Sequence, residues 1–312
     1  MARRPFLAAA AVAGAGIGLA AGSARAAPSL TLAEIAPGVF SHQGLQEDFS
    51  AANEGGIANL ALILGKERVA IVDTGGCERE GEAFLAAIRQ VTDLPIAYVI
   101  ATHAHPDHVF GHGAFVAANP VFVGHAHLPR AMADRGPAYL ANMRVIMGDV
   151  VAGTRLVSPS RLVDVGAPQT LDLGGRAIEL QAWPTAHTDC DLTVRVPDAD
   201  LLIAGDLVTV QRLPVVDGSV SGWLKLMPDL AAVPALRVLP GHGPVSDWPR
   251  ALTPVKDYLG WLRGEVARLQ DQGVQIDKIV DAVPMPAGHH WLLVEDVHPR
   301  NVIAVYKELE WE

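Results

Sequence analysis

Cysteine is nearly absent from this chain. Its 312 residues include two, Cys77 and Cys190, too few for a disulfide scaffold and enough for at most one bridge. Aromatic residues are sparse at 5%, and charged residues make up 19%. With 50% hydrophobic residues, the chain is neither disordered nor fibrous and can bury a large core. Basic residues number 24 against 34 acidic ones. No Lys/Arg cluster stands out, which excludes nucleic acid as the main partner, since phosphate binding needs such clusters. No run beyond the N-terminus is long and apolar enough to span a bilayer, so we expect no stable membrane anchor. There is no Pro/Ser-rich linker and no close internal repeat.

The N-terminus is a separate matter. "MARRPFLAAAAVAGAGIGLAAGSARAAPSL" has a basic start, an apolar run over residues 5–21 and a small-residue cleavage site at 24–26. Those are the parts of an export signal. Arg3-Arg4 followed by Pro5, Phe6 and Leu7 resembles the twin-arginine type, which exports folded proteins. We therefore expect residues 1–26 to be a removed signal peptide, the protein to be periplasmic, and residues 27–312 to form one domain. Loss of Arg3, Arg4 and Arg25 makes the formal charge of −10 three units more negative.

Apolar runs and turn residues then alternate. "LTLAEI", "GVFSHQ", "NLALILG" and "RVAIVDTGG" read as strands, the last two joined by a hairpin at Gly65-Lys66-Glu67. "EREGEAFLAAIRQV" has helical spacing, "AYVIAT" and "PVFVGH" are strands, residues 126–150 are helical and 152–160 form a loop. "VFGHGAFVAANP" reads as a helix stopped at Pro120. A second strand series follows in "QTLDLGG", "AIELQAWP", "DLTVRVP" and "DLLIAGD". Next come the helix "LKLMPDLAAVPAL", the strand "VLPGHGPVS" and a C-terminal helical segment. This is a layered α/β domain.

The polar residues that end these strands carry the chemistry. "THAHPDHVFG" places His103, His105, Asp107 and His108 where a strand turns into a helix. His187, Asp206 and His242 each follow another apolar strand. Strands aligned in sheets bring their ends to one rim, where seven nitrogen and oxygen donors converge. Imidazole and carboxylate donors suit zinc, and iron or manganese is accepted by the same set. Seven donors fit two ions, one held by three histidines, the other by an aspartate and two histidines, with Asp206 shared. A lone histidine after a strand is usually structural, but the H-x-H-x-D-H cluster has no structural rationale. His125-Ala126-His127 reads as a structural or rim pair, His112 as exposed or supporting, and His289-His290 as surface.

"THAHPDH", "AHTDCDLTV", "IAGDLV" and "LPGHG", in this order, resemble the metal-binding motifs of the metallo-β-lactamase superfamily. The upstream "VDTGG" resembles its first motif. The resemblance implies an αββα sandwich with a dinuclear site at one edge of two facing mixed sheets. His103, His105 and His187 would hold the first zinc, and Asp107, His108 and His242 the second, with Asp206 bridging. Asp73 would orient a ligand histidine. Asp107 and Asp206 are the candidate catalytic carboxylates, with a metal-activated water as nucleophile. Aspartate rather than cysteine at 206 is similar to glyoxalase II and other hydrolases, and makes an antibiotic-hydrolysing role the less favoured one. The export signal and "VGHAHLPRAMADRGPAYL" resemble zinc metallohydrolases of periplasmic quinoprotein relay and sulfur-oxidation systems.

The expected function is hydrolysis of a thioester, ester or related bond in a small-molecule or thioester-type substrate. The alternatives are a β-lactam hydrolase, or a non-catalytic accessory protein with a periplasmic dehydrogenase or carrier as partner. Two further expectations concern the neighbourhood. Arg130, Arg135 and Arg144 lie beside a substrate entrance, where they either hold an anionic group of the substrate or form solvated helix faces. Cys77 and Cys190, at two strand ends on the same rim, either come within bridging distance or stay separate thiols, Cys190 as a buried small hydrophobe and Cys77 at a helix start; the spacing alone does not choose.

Overall fold

The computed structural model describes residues 30–312, so the expected signal peptide lies outside the described residues. The first half of the chain forms β1 (Ala33–Ala36), β2 (Val39–His42), β3 (Leu60–Leu64), β4 (Val69–Val72), α1 (Glu78–Val91), β5 (Ile96–Ile100), α2 (Pro106–Val109), β6 (Val121–His125), α3 (Leu128–Met147) and β7 (Arg161–Val163). The second half forms β8 (Gln169–Asp172), β9 (Ala177–Ala182), β10 (Leu192–Val196), β11 (Leu201–Thr209), α4 (Val220–Ala231), β12 (Arg237–His242), β13 (Ser246–Asp247), α5 (Leu252–Asp271), α6 (Ile276–Ala282) and α7 (Val294–Leu309).

Two mixed sheets result, one of seven strands in the order β1 to β7, the other of six in the order β13-β12-β11-β10-β9-β8. β1 to β4 run antiparallel, whereas β4 to β7 are parallel and need helical crossovers. Strand alternation explains the layers. Ala61, Ile63, Ala70 and Val72 face inward onto Ile178, Leu180, Val194 and Ile203 of the second sheet. Their neighbours Leu60, Leu62, Val69 and Ile71 face outward, under Phe84 and Ile88 of α1. Leu202, Ala204 and Val208 of β11 lie under Trp223 of α4, Leu259 of α5 and Val305 of α7. Both faces of each central strand are thus buried, which makes these strands continuous apolar runs rather than alternating ones. The architecture is the expected αββα sandwich. Phe84 is fully buried, and its truncation to alanine would cost about 3–5 kcal/mol.

α1 matches the expected limits, with Glu78 and Glu80 in its first turn and Arg89 in its last, as the helix dipole favours. The helix expected after the histidine cluster does not form as one unit. A single turn, α2, gives way to a 3₁₀ segment over His112–Ala118 that ends at left-handed Asn119. The reason is that Gly111 N donates to the Gly75 carbonyl at 2.9 Å instead of continuing the helical ladder, in a place so close to Thr74 that an added Cβ would sit 2.0 Å from its carbonyl oxygen. The chain must bend there rather than continue a regular helix. β7, β13 and α6, all short, add to the expected elements. Among the described residues no helix is long and apolar enough to cross a membrane.

Candidate metal centre

The candidate donors sit past, or at the end of, a buried strand, except Asp206, which lies inside β11 because that strand continues to Thr209 rather than ending before it as expected. Asp73 follows β4 with φ of 58°, the left-handed region, a conformation that persists only where surroundings hold it. Three hydrogen bonds do so. Asp73 Oδ1 accepts from Thr102 N at 2.8 Å, and Oδ2 accepts from Thr102 Oγ1 at 2.8 Å and from His108 Nδ1 at 2.7 Å. Thr102 Oγ1 in turn accepts from His103 Nδ1 at 2.9 Å. One carboxylate therefore orients two rings of the cluster.

The other rings are held in the same way from other loops. His187 Nδ1 donates to the Val215 carbonyl at 2.7 Å, and His242 Nδ1 to the Ile57 carbonyl at 2.8 Å. His105 Nε2 lies 3.0 Å from Asp217 Oδ2. Each of the five imidazoles has one nitrogen tied to an acceptor, which leaves the other bare in the neutral ring. The bare nitrogens fall into two groups. His103, His105 and His187 with Asp206 form one, whose ligand atoms all lie within 4.8 Å of one another, and Asp107, His108 and His242 form the other on the same measure. His242 Nε2 is 3.3 Å from both Asp107 Oδ2 and Asp206 Oδ2, and His108 Nε2 is 3.3 Å from Asp206 Oδ1. All seven expected donors come together, in the two expected sets.

A divalent cation fits these residues. His103 Nε2 is buried and has no hydrogen-bond partner, which costs about 1–3 kcal/mol. His105 Nδ1 and His187 Nε2 are 3.1 Å apart, although the partners of both rings leave these atoms as lone pairs. Facing lone pairs repel unless something acidic lies between them. Gly241 completes the cradle, since a Cβ there would lie 1.8 Å from Asp206 Oδ1.

Electrostatics divide the centre. Burial, then the neighbouring imidazoles, hold His103 well below the usual histidine pKa, and burial followed by His105 pushes His187 down to about 4. His103 and His187 are therefore neutral donors at ordinary pH. Burial also opposes charge on His108 and His242, but Asp107, Asp73 and Asp206 outweigh it for His108, and Asp206 does so for His242. That side holds protons until a cation displaces them.

Several contributors carry no motif that would announce them. Asp217 sits in an ordinary Asp-Gly turn before α4, yet it also accepts from Arg135 Nη1 at 2.9 Å and Tyr139 OH at 3.3 Å. Arg135 is bound by Asp189 as well, so its charge is matched by two carboxylates of the chain itself. Arg130 is highly exposed and pairs with Asp134 on its own helix, and Arg144 is exposed. The cysteine bridge is not formed. Cys77 and Cys190 are free, buried thiols with separate partners, the Glu54 carbonyl at 3.2 Å and Thr188 Oγ1 at 3.5 Å. Both belong to one apolar cluster, where burial pushes each thiol up to about 12. His125 and His127 pair at the rim, as expected, on the Trp183 and Asp189 carbonyls. His289 and His290 are exposed, as expected. His112 is not exposed; it is buried against Phe122.

Known proteins are similar to this chain. The Metallo-beta-lactamase superfamily profile matches residues 53–242, well over half of the chain and inclusive of every donor named above. The chain is 25% identical over 263 residues to a linear primary-alkylsulfatase of Pseudomonas sp. (strain ATCC 19151), covering 72% of this chain and 49% of that protein. It thus spans about half the length of that curated relative. A metallo-beta-lactamase from Pontibacter korlensis superposes with a TM-score of 0.61 at 20% identity, covering 74% of this chain and 99% of the other. A stereoselective inverting sec-alkylsulfatase from Pseudomonas sp. superposes with a TM-score of 0.69 at 17% identity, covering 89% of this chain and 50% of the other. At such identities the superpositions speak for the fold. The matched profile, with its ordered donors at one edge of two facing sheets, makes the chain a member of the metallo-β-lactamase superfamily.

Proposed function

We propose that the protein is an exported dinuclear zinc hydrolase that cleaves a thioester or carboxylic ester bearing an anionic group. The observation that carries this reading is the five imidazoles, each tied at one nitrogen and turned with the other towards Asp107 and Asp206. His103, His105 and His187 would hold one ion, Asp107, His108 and His242 the other, with Asp206 between them. When bound, such a pair of ions supplies a nucleophilic water at neutral pH and a Lewis acid for the scissile carbonyl. The chain's part is orientation and proton handling. Asp73, Asp217 and the Val215 carbonyl keep the inward nitrogens of His108, His105 and His187 bare. Asp107 Oδ2, which sits 3.3 Å from His242 Nε2 and 3.6 Å from His108 Nε2, is the carboxylate placed to take a proton.

Arg212 supports the choice of an anionic substrate. It is only 7% exposed and lies 3.5 Å from His242 Nδ1. It donates to the Glu47 carbonyl at 3.1 Å, and among the described residues no carboxylate pairs with it. A buried guanidinium without a counter-ion is costly, and its planar fork suits a carboxylate, sulfonate or sulfate. Similarity to the alkylsulfatase favours a second reading, hydrolysis of a sulfate ester.

The test loads the full chain with zinc and assays thioesters, carboxylic esters, alkyl sulfates and the chromogenic lactam nitrocefin. Thioester or ester turnover is expected, abolished by Asp206→Ala together with metal, and given a higher KM by Arg212→Ala. Turnover of alkyl sulfates alone would establish the second reading. Two bound zinc ions with no turnover would leave the accessory role. Export is tested by cell fractionation, where Arg3→Lys with Arg4→Lys should retain the protein in the cytoplasm.

A further inference from the structure

We propose that α7, outside the region matched by the family profile, is a working part of the centre, with Asn301 and Glu308 as positioning residues for His105 and His187. The inference rests on the reading of these histidines as metal donors. Both rings are tied to one irregular segment between β11 and α4. His187 Nδ1 donates to the Val215 carbonyl at 2.7 Å, and Asp217 Oδ2 faces His105 Nε2 at 3.0 Å. The same segment bonds back to the His187 loop, through Asp217 N to the His187 carbonyl and Ser219 N to the Ala186 carbonyl. Having no ladder of its own, the segment takes its position from what holds its two ends.

Both ends are held by α7. Asn301 is fully buried. Its Oδ1 accepts from Val216 N at 2.9 Å, and its Nδ2 donates to the Pro214 carbonyl at 2.7 Å and to Tyr258 OH at 3.0 Å. Tyr258 OH donates to His298 Nδ1 at 3.0 Å, and His298 Nε2 donates to the Val283 carbonyl at 2.7 Å. Asn301 therefore has no freedom to turn its amide over. Glu308, two helical turns further along the same face, accepts from Ser219 Oγ at 2.6 Å, Val220 N at 2.7 Å and Ser221 N at 3.1 Å. A carboxylate at the N-terminus of α4 is well placed for the helix dipole. The clamps fall at 214–216 and 219–221, on either side of Asp217 and directly around Val215. Releasing them lets the acceptor behind each ring drift, and with it the tautomer that keeps the inward nitrogen bare.

Stepwise zinc competition against a chromophoric chelator, with cobalt(II) absorption as a second readout, tests this on the full chain. Wild type should take up two equivalents. Asn301→Leu, which keeps volume but removes three hydrogen bonds, should weaken one equivalent by about 10–100-fold and alter the cobalt spectrum, with the other equivalent retained. Glu308→Gln, at a half-buried position, should show the same pattern more weakly and serves if Asn301→Leu does not fold. Leu262→Ala, which loosens the packing of α5 in the shared apolar cluster but removes none of the clamp's hydrogen bonds, should lower thermal stability yet leave both equivalents intact. If wild type binds no metal, the metal-centre reading itself falls. If wild type binds two ions and Asn301→Leu and Glu308→Gln bind both with unchanged affinity, the clamp is refuted and the centre stands. Equal weakening by Leu262→Ala would also refute it.

Discussion

Replacing Asp73 by asparagine changes one atom and tests the orientation argument directly. Asparagine tolerates the left-handed φ of 58° as aspartate does, so backbone and volume are conserved. The oxygen that accepts from His108 Nδ1 at 2.7 Å and Thr102 Oγ1 at 2.8 Å becomes an NH₂ group. If the amide flips, the NH₂ instead meets Thr102 N, now 2.8 Å from Oδ1. In either orientation a donor faces a donor. One charge-assisted hydrogen bond is lost, and one donor stays buried without a partner. Together these cost about 2–5 kcal/mol of folding stability. In the neutral ring that a cation requires, the amide NH₂ drives the remaining His108 proton to Nε2, the inward nitrogen, so that His108 ceases to be a donor to a cation. Metal affinity on the Asp107 side should fall by about 10–100-fold. Urea denaturation of metal-free protein measures the first effect, and zinc competition the second. An Asp73→Asn protein within about 0.5 kcal/mol of wild type, with unchanged affinity for both ions, would show that Asp73 does not orient the cluster.

Gly241→Ala should displace Asp206, because its Cβ would lie 1.8 Å from Oδ1. Loss of metal in elemental analysis is expected, whereas Gly260→Ala in α5, with open space around it, should stabilise the fold by about 0.5–1 kcal/mol in urea. His112 is buried, and burial pushes its pKa down to about 3. Between the unfolded value near 6.5 and that value the unfolded chain binds a proton that the folded chain refuses. Stability therefore falls as pH falls through this window, by on the order of 4 kcal/mol in full. His112→Phe should flatten that part of the pH–stability curve, and an unchanged slope would assign the acid sensitivity elsewhere. Chelation should lower the melting temperature of zinc-loaded wild type and leave that of Asp206→Ala unmoved, as measured by calorimetry.

The layers were legible in sequence where burial is two-sided. Runs such as "NLALILG" and "DLLIAGD" are apolar on both pleat faces, so their assignment needed no tertiary information. The seven donors were legible for a related reason: each interrupts or ends such a run with a polar side chain that burial alone disfavours. What supports the donors was mostly not legible. Asp73 and the "VDTGG" strand end could be anticipated, but Val215 acts through a carbonyl that every residue possesses, and Asp217 sits in a turn typical of any surface. Asn301 reads as one polar residue in an amphipathic helix; only α7 packing across α5 shows that it reaches a loop 85 residues earlier. The partners of Arg135 were not legible because a charged helical residue gives no sign of them, and Asp189 and Asp217 come from distant segments. The 3₁₀ segment after α2 was missed because the close approach of Gly111 to Thr74 is a tertiary contact.

The division of donors between the sheets bears on how the molecule comes apart. His103, His105, Asp107 and His108 follow a strand of the first sheet, while His187, Asp206 and His242 belong to the second. Each set therefore takes donors from both halves of the chain. An ion in either set acts as a cross-link that exists only after the two halves have docked, and it adds nothing to the stability of either half alone. Opening at the sheet interface must then break coordination before it can expose the strands. In loaded protein the amides of β5 and β11 should cease to open independently and exchange as one cooperative unit.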